Sequence, residues 1–250
     1  GKKENGSTKQ DQTLNSTFFL LFFLVFSFTL SHAQEKSLFG VNLYEKICKS
    51  FPSIDGMSAR EFENVVLKKF GSGNENDSVL LKITRFIYFT RKSDFPQCVS
   101  QALDLTTVYS SELDPELLEL FFRKTGELFE GTENYVLAIV FYQKSLTAQK
   151  GKYTEYVHAR LGNAYLAQEK YEDAITHYNI ALKSSTIEAT RVSYLNSLGF
   201  IYFLKKDFNQ ATKYYTLAEN EYNTHSEEVD SFALFNIWSN QLSNCLNFIQ

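Results

Sequence analysis

The sequence predicts an all-α fold, a right-handed solenoid of antiparallel helix pairs placed behind an apolar leader. Three observations carry that prediction. A block opening on glycine recurs at Gly126, Gly162 and Gly199, spaced 36 and then 37 residues apart, and a fixed period of this size marks a stacked repeat. Proline (3) and glycine (11) are scarce among the 250 residues, which favours long helices over tight turns. Within the middle block Tyr171, Ala174, Ile175, Tyr178, Ala181 and Leu182 fall on one face of a helix of period 3.6.

Taken in order, the chain divides into four parts. Residues 1–33 read as a leader and signal peptide. Phe18 to Leu30 (FFLLFFLVFSFTL) is free of charge, too short for the roughly 20 residues that span a bilayer and suited to a signal core. Lys2, Lys3 and Lys9 precede it, and Ser31-His32-Ala33 supplies small residues for cleavage before Gln34. An uncleaved anchor and a buried core helix are the other readings of the stretch. The opening Gly and the long polar run before Phe18 suggest a fragment or a translated reading frame, with the true start nearer Leu14.

Residues 34–113 form an N-terminal helical region. Ser58-Ala59-Arg60-Glu61 is a capping box, opening a helix to about Phe70. Gly71 to Asp77 (GSGNEND) is a loop. Residues 78–110 resemble a degenerate copy of the repeat, with Phe86, Phe89, Phe95, Cys98 and Ala102 near the expected offsets.

Residues 114–225 hold three repeats, at about 119–152, 155–188 and 192–225. Asp114-Pro115-Glu116 starts the first helix: a cap, a proline at the first helical position and an acid near the positive dipole end. Counting from each glycine, Phe129, Tyr165 and Tyr202 stand three residues on; Tyr135, Tyr171 and Phe208 nine; Ala138, Ala174 and Ala211 twelve. Tyr142, Tyr178 and Tyr215 stand sixteen on, and Ser145, Ala181 and Ala218 nineteen. Small residues at the glycine and first alanine positions let two helix backbones approach, the last small residue admits the next repeat, and the aromatics fill the space between. Residues 226–250 read as a capping helix, or the first helix of a truncated further repeat, starting at Ser226-Glu227-Glu228.

Composition excludes several functions. A formal charge of −4 lacks the basic footprint that phosphate binding needs, so no nucleic acid is expected. Cys48, Cys98 and Cys245 show neither disulfide framework nor zinc spacing. Cys98 and Cys245 read as apolar helix-face residues, Cys48 likewise, with a Cys48–Cys98 disulfide left open. Asp173 and His177, four apart on one helix, could make half a metal site, but no second pair converges on them by sequence alone. His158 reads as a packing residue between helices. Gly71-Ser72-Gly73 lacks the lysine and flanking strand of a phosphate loop, and Asn76-Asp77-Ser78 is a glycosylation sequon relevant only in a glycosylating host. No catalytic constellation, metal or cofactor is expected, and the chain reads as a non-enzyme.

The offsets, strongest in GNAYLAQEKYEDAITHYNIAL (162–182), resemble the tetratricopeptide repeat. The family's frequent Trp near the start of the first helix is replaced by Phe122, His158 and Leu195, and its closing Pro by Lys150, Thr186 and Asn223. The resemblance implies a groove lined by the first helix of each repeat, holding a protein or peptide ligand. Carried over, it would present Leu120, Arg123, Glu127 and Glu130, then Tyr156, Ala159, Asn163 and Leu166, then Ser193, Asn196, Phe200 and Phe203. The family's carboxylate clamp is not reproduced, because Glu127 and Ala159 occupy positions of that kind. Asn163 and Asn196 are expected to bond a ligand backbone, and Phe200 and Phe203 to anchor it, unless the two Phe pack on neighbouring helices.

Combined with the leader, the resemblance points to an exported interaction module, periplasmic or secreted, similar to the sensor regions of bacterial membrane-linked histidine kinases and helix-turn-helix regulators. The chain would then continue past Gln250 into a membrane span, and meet the membrane only there or through its signal segment. A free-standing periplasmic or outer-membrane assembly scaffold is the second expectation, and a non-catalytic piece of a larger enzyme the third.

Overall fold

The structure, a computed structural model, describes residues 39–73, 77–148, 151, 153–224, 236–241 and 243. The leader (1–33), Asn76, Lys150, His225, Cys245 and most of 226–250 lie outside the described residues.

The described chain is helical, apart from one bridge between Phe39 and Leu113. Ten helices follow in order: α1 Val41–Ser50, α2 Ala59–Phe70, α3 Asp77–Arg91, α4 Phe95–Thr107, α5 Pro115–Gly131, α6 Tyr135–Ala148, α7 Thr154–Ala167, α8 Tyr171–Ser184, α9 Glu188–Leu204 and α10 Phe208–Thr224. Consecutive helices pack in pairs, α3 with α4, α5 with α6, α7 with α8 and α9 with α10, and the second helix of each pair packs on the first helix of the next. None of the described helices is long and apolar enough to cross a membrane.

The expected helix starts are formed. Ser58 accepts from the Glu61 amide while the Glu61 carboxylate accepts from the Ser58 amide, so two orphan donors of α2 are satisfied reciprocally. Asp114 accepts from the Leu117 amide at 2.7 Å, with Pro115 at the first helical position of α5.

One turn recurs within all four pairs. Ser93, Glu133, Glu169 and Lys206 each adopt a positive φ, between 56° and 62°. The residue that follows each of them donates its amide back to the carbonyl of Phe89, Phe129, Tyr165 or Tyr202. At three of the four starts a side chain then caps the second helix: Asp94, Asn134 and Asp207 accept from the amides of Gln97, Leu137 and Gln210. The segment expected as a degenerate copy thus carries the same turn as the other three. Turns this short make the two helices of a pair antiparallel neighbours.

Packing inside the pairs explains the periodic residues. A Cβ at Gly126, Gly162 or Gly199 would lie 2.7, 2.8 or 2.5 Å from the ring of Tyr142, Tyr178 or Tyr215. Each tyrosine therefore lies directly on a backbone that only glycine leaves open. Ala138, Ala174, Ala211, Ala181 and Ala218 are fully buried, and Ser145 is 1% exposed. In the first pair the sizes are exchanged: Phe86 stands where the others have glycine, and Ala102 where they have tyrosine, both buried. Cys48 and Cys98 are free thiols, so the disulfide left open by the sequence is not formed.

Candidate binding surface

The first helices of the pairs are α3, α5, α7 and α9, and the residues singled out by sequence lie on the last three. The structure treats them differently from one end to the other. At the N-terminal end, α1 packs on both α3 and α5. Its Ile47 is fully buried in the same apolar cluster as Leu120, and Tyr44 sets its ring edge-on to Phe121 at 6.0 Å. Arg91 of α3 fixes the end of α1 by donating to the carbonyls of Phe51 and Cys48. Burial pushes the Tyr44 hydroxyl well above its ordinary pKa, with the neighbouring Cys48 thiol adding to the rise.

Next comes a closed polar network. Arg123, only 6% exposed, donates to Glu119 at 3.1 Å and to Glu127 at 3.4 Å, and its guanidinium sits 4.1 Å from the ring centre of Tyr153. Glu127 also accepts from Lys124 at 2.7 Å and from the Tyr156 hydroxyl at 3.0 Å. That hydroxyl accepts from Arg160, which reaches on to Glu130 at 3.3 Å, and Glu130 accepts from Tyr142. Burial, followed by the Glu130 contact, holds Tyr142 protonated far above the usual range. Tyr156 is raised by burial and by Glu127. Arg123, Glu127, Glu130 and Tyr156 are thus matched to one another across two pairs, which makes this stretch a rigid internal seam.

Beside the seam lies a cavity of about 30 Å³ lined by Glu116, Glu119, Ser145, Tyr153 and Thr154 among others. Ser145 donates to Glu119 Oε1, while Oε2 of the same buried carboxylate takes no hydrogen bond among the described residues. A site of this size has room for about two water molecules.

Toward the C-terminal end the surface opens. Asn163 is exposed, and its Oδ1 accepts from the Tyr178 hydroxyl. Ser193 is exposed as well. Phe200 is 37% exposed and stacks on Phe203 at 6.4 Å, while Phe203 leans on Phe208 at 6.0 Å, so the two Phe form a ledge supported from one side. Asn196 is half-buried, and its Oδ1 accepts from Asn240 at 3.0 Å. Around Asn240 the described part of the last segment packs on α9 and α10: Ile237 is buried with Val192, Leu195 and Tyr222, and Trp238 donates to Glu219.

Two arrangements were missed in the sequence. The Glu119–Arg123–Glu127 spacing of four residues signals an ion-paired helix face, yet only the last two of these residues were singled out, and as ligand contacts. His158 and His177 meet across α7 and α8, Nδ1 to Nδ1, at 2.8 Å. They sit four residues before and fifteen after Gly162, flanking the very contact that the repeat pattern predicts between the helices. Among the described residues, no group of three or more His, Cys, Asp or Glu side chains is arranged to hold a metal ion. No protein-family model matches the chain, and no curated protein matches it.

Proposed function

We propose that the chain is a tetratricopeptide-type interaction module, exported and non-catalytic, that holds a short amphipathic helix or extended segment of another protein along its first helices. Within a longer signalling protein it would be the sensor or scaffold part. The observation that carries this reading is α1. The chain lays its own helix across α3 and α5, burying Ile47 and Tyr44 against the first helices of two successive pairs. A surface that accepts one helix in this manner supports helix-in-groove recognition of another. The ligand would dock further along, on the ledge of Phe200 and Phe203 of α9 and the exposed Asn163 of α7, which offer apolar anchors and a polar side chain able to meet a backbone.

Selection of a displayed random-peptide library on the full chain tests this. Enriched peptides should carry apolar anchors at helical or alternating spacing, and Phe200→Ala should weaken them by about 1–2 kcal/mol, the range of an interface anchor. Its melting temperature should stay close to the parent's. Enrichment indifferent to Phe200→Ala and Asn163→Ala would remove the groove from the reading.

A second reading, an assembly scaffold gripped by its outer helices, is favoured by α6. Val136, Leu137 and Val140 are exposed there (64%, 38% and 40%), where α8 carries Glu172, Asp173 and Thr176 and α10 carries Asn209, Gln210 and Lys213. Val136→Lys with Val140→Glu should then abolish co-purification of a stoichiometric envelope protein while leaving peptide selection intact.

A further inference from the structure

The histidine pair of α7 and α8 is a chemical feature that peptide holding does not use. Its two rings lie with centroids 5.1 Å apart and planes 27° from each other. The 2.8 Å gap between the Nδ1 atoms and the two ring radii fill that separation, so the nitrogens point at each other head-on. One ring donates its Nδ1 proton and the other accepts. Tyr165 stacks on His177 at 5.3 Å and 10°, and Gln143 of α6 donates to the Tyr165 hydroxyl, which fixes the ring from behind. Two imidazole nitrogens, carried by two packed helices, thus already converge on one point between those helices.

We propose that His158 and His177 bind a borderline divalent metal ion, Zn²⁺, Cu²⁺ or Ni²⁺, through their Nδ1 atoms, the proton of the donating ring moving through solvent to its own Nε2 so that both rings stay neutral. Two nitrogens bound at 2.0–2.1 Å with a tetrahedral angle lie about 3.3–3.4 Å apart. The pair therefore has to open by about 0.5–0.6 Å, and each ring, now aimed along the line joining the nitrogens, has to tilt by about 35° so that both lone pairs meet at the metal. Asp173 stands one turn before His177 on α8, exposed and close enough to act on it electrostatically. Its negative charge favours a cation there, and solvent completes the shell, leaving open positions of the kind a second molecule's side chain can take. Imidazole nitrogens favour Cu²⁺ over Ni²⁺ and Zn²⁺, in the Irving–Williams order. The ion clamps α7 to α8 in the middle of the array.

Calorimetric titration of the full, untagged chain with ZnCl₂, NiCl₂ and CuCl₂ at pH 7.5 tests the site, with variants verified as helical by circular dichroism. One equivalent should bind, tightest for Cu²⁺. His158→Gln and His177→Gln should each weaken it by more than about 10-fold, the loss that even an outer-sphere partner carries, and Asp173→Asn by less. His225→Gln should leave it unchanged. Copper spectra of the parent should carry two nitrogen ligands, a signature that loss of folding in one variant cannot imitate. Binding that survives both histidine changes, disappears with His225→Gln, or is absent for all three ions overturns the proposal.

Discussion

Replacing Gly162 by alanine isolates the contact that organises every pair. In an open helix this change gains about 1 kcal/mol of helix propensity. Here the new Cβ would lie 2.8 Å from Cδ2 and Cε2 of Tyr178 and 3.0 Å from its Cγ. Carbon atoms prefer about 3.5–4.0 Å, so the ring has to retreat by about 0.7 Å or more. It has little freedom to do so, being 3% exposed, bonded through its hydroxyl to Asn163 and flanked by Tyr194 at 6.3 Å. Overpacking of this kind costs about 1–3 kcal/mol, which outweighs the propensity term and leaves a net loss of up to about 2 kcal/mol. Two controls separate the terms. Gly131→Ala meets nothing within 4 Å and should be neutral or stabilising. In a Tyr178→Ala background the clash is gone, and Gly162→Ala should become stabilising, so the double-mutant cycle should report a coupling of about 1–3 kcal/mol. Urea unfolding followed by circular dichroism reads the four proteins of the cycle and Gly131→Ala. A coupling below about 0.5 kcal/mol, or a Gly162→Ala as stabilising as Gly131→Ala, would refute the argument.

Two further outcomes follow from the seam and the histidine pair. Arg123→Met leaves Glu119, 5% exposed, as an uncompensated buried carboxylate and should cost about 3–5 kcal/mol in urea unfolding, with Glu119→Gln added to it recovering most of the loss; equal losses in single and double variants would show that packing, not charge, is at stake. His158 and His177 are both held below the ordinary 6.5 by burial, His177 further by His158 and in part restored by Asp173, with Tyr165 the other titratable group against the pair. The unfolded chain then takes up protons first, so this stabilisation is complete above pH 6.5 and is lost as pH falls from there through the native pKa values. With chelator present, the drop in urea midpoint between pH 7.5 and 5.5 should shrink in His158→Gln/His177→Gln, and an unchanged drop would refute it.

What the sequence disclosed and what it hid divide along the range of the forces involved. Gly162, Tyr165, Tyr171, Ala174 and Tyr178 lie within one helix pair, where contacts occur at fixed sequence offsets, and both period and pairing could be read from them. The caps at Ser58 and Asp114 were legible for the same reason, since each is settled within four residues. The first pair was harder because it keeps volume rather than identity: Phe86 and Ala102, both buried, stand where the other pairs have glycine and tyrosine. A pattern of residue types misses such an exchange, although the Ser93 turn and the Asp94 cap preserve the register on either side.

Which residues lie on first helices was legible in the sequence, and which of them a neighbour already holds was not. Arg123, Glu127 and Tyr156 do lie on first helices, but whether a polar group meets a ligand or its own neighbours depends on contacts across pairs. The Tyr156–Glu127 bond joins residues 29 apart and the Arg160–Glu130 bond residues 30 apart, distances at which no helical periodicity constrains the partner. Placing those charges in a seam buries Arg123 while leaving Phe200 and Asn163 outward, so a ligand held as proposed would be selected by apolar anchoring rather than by charge. A ligand selected by this surface should therefore respond weakly to ionic strength, because salt screens charges and leaves the burial of an aromatic ledge almost untouched.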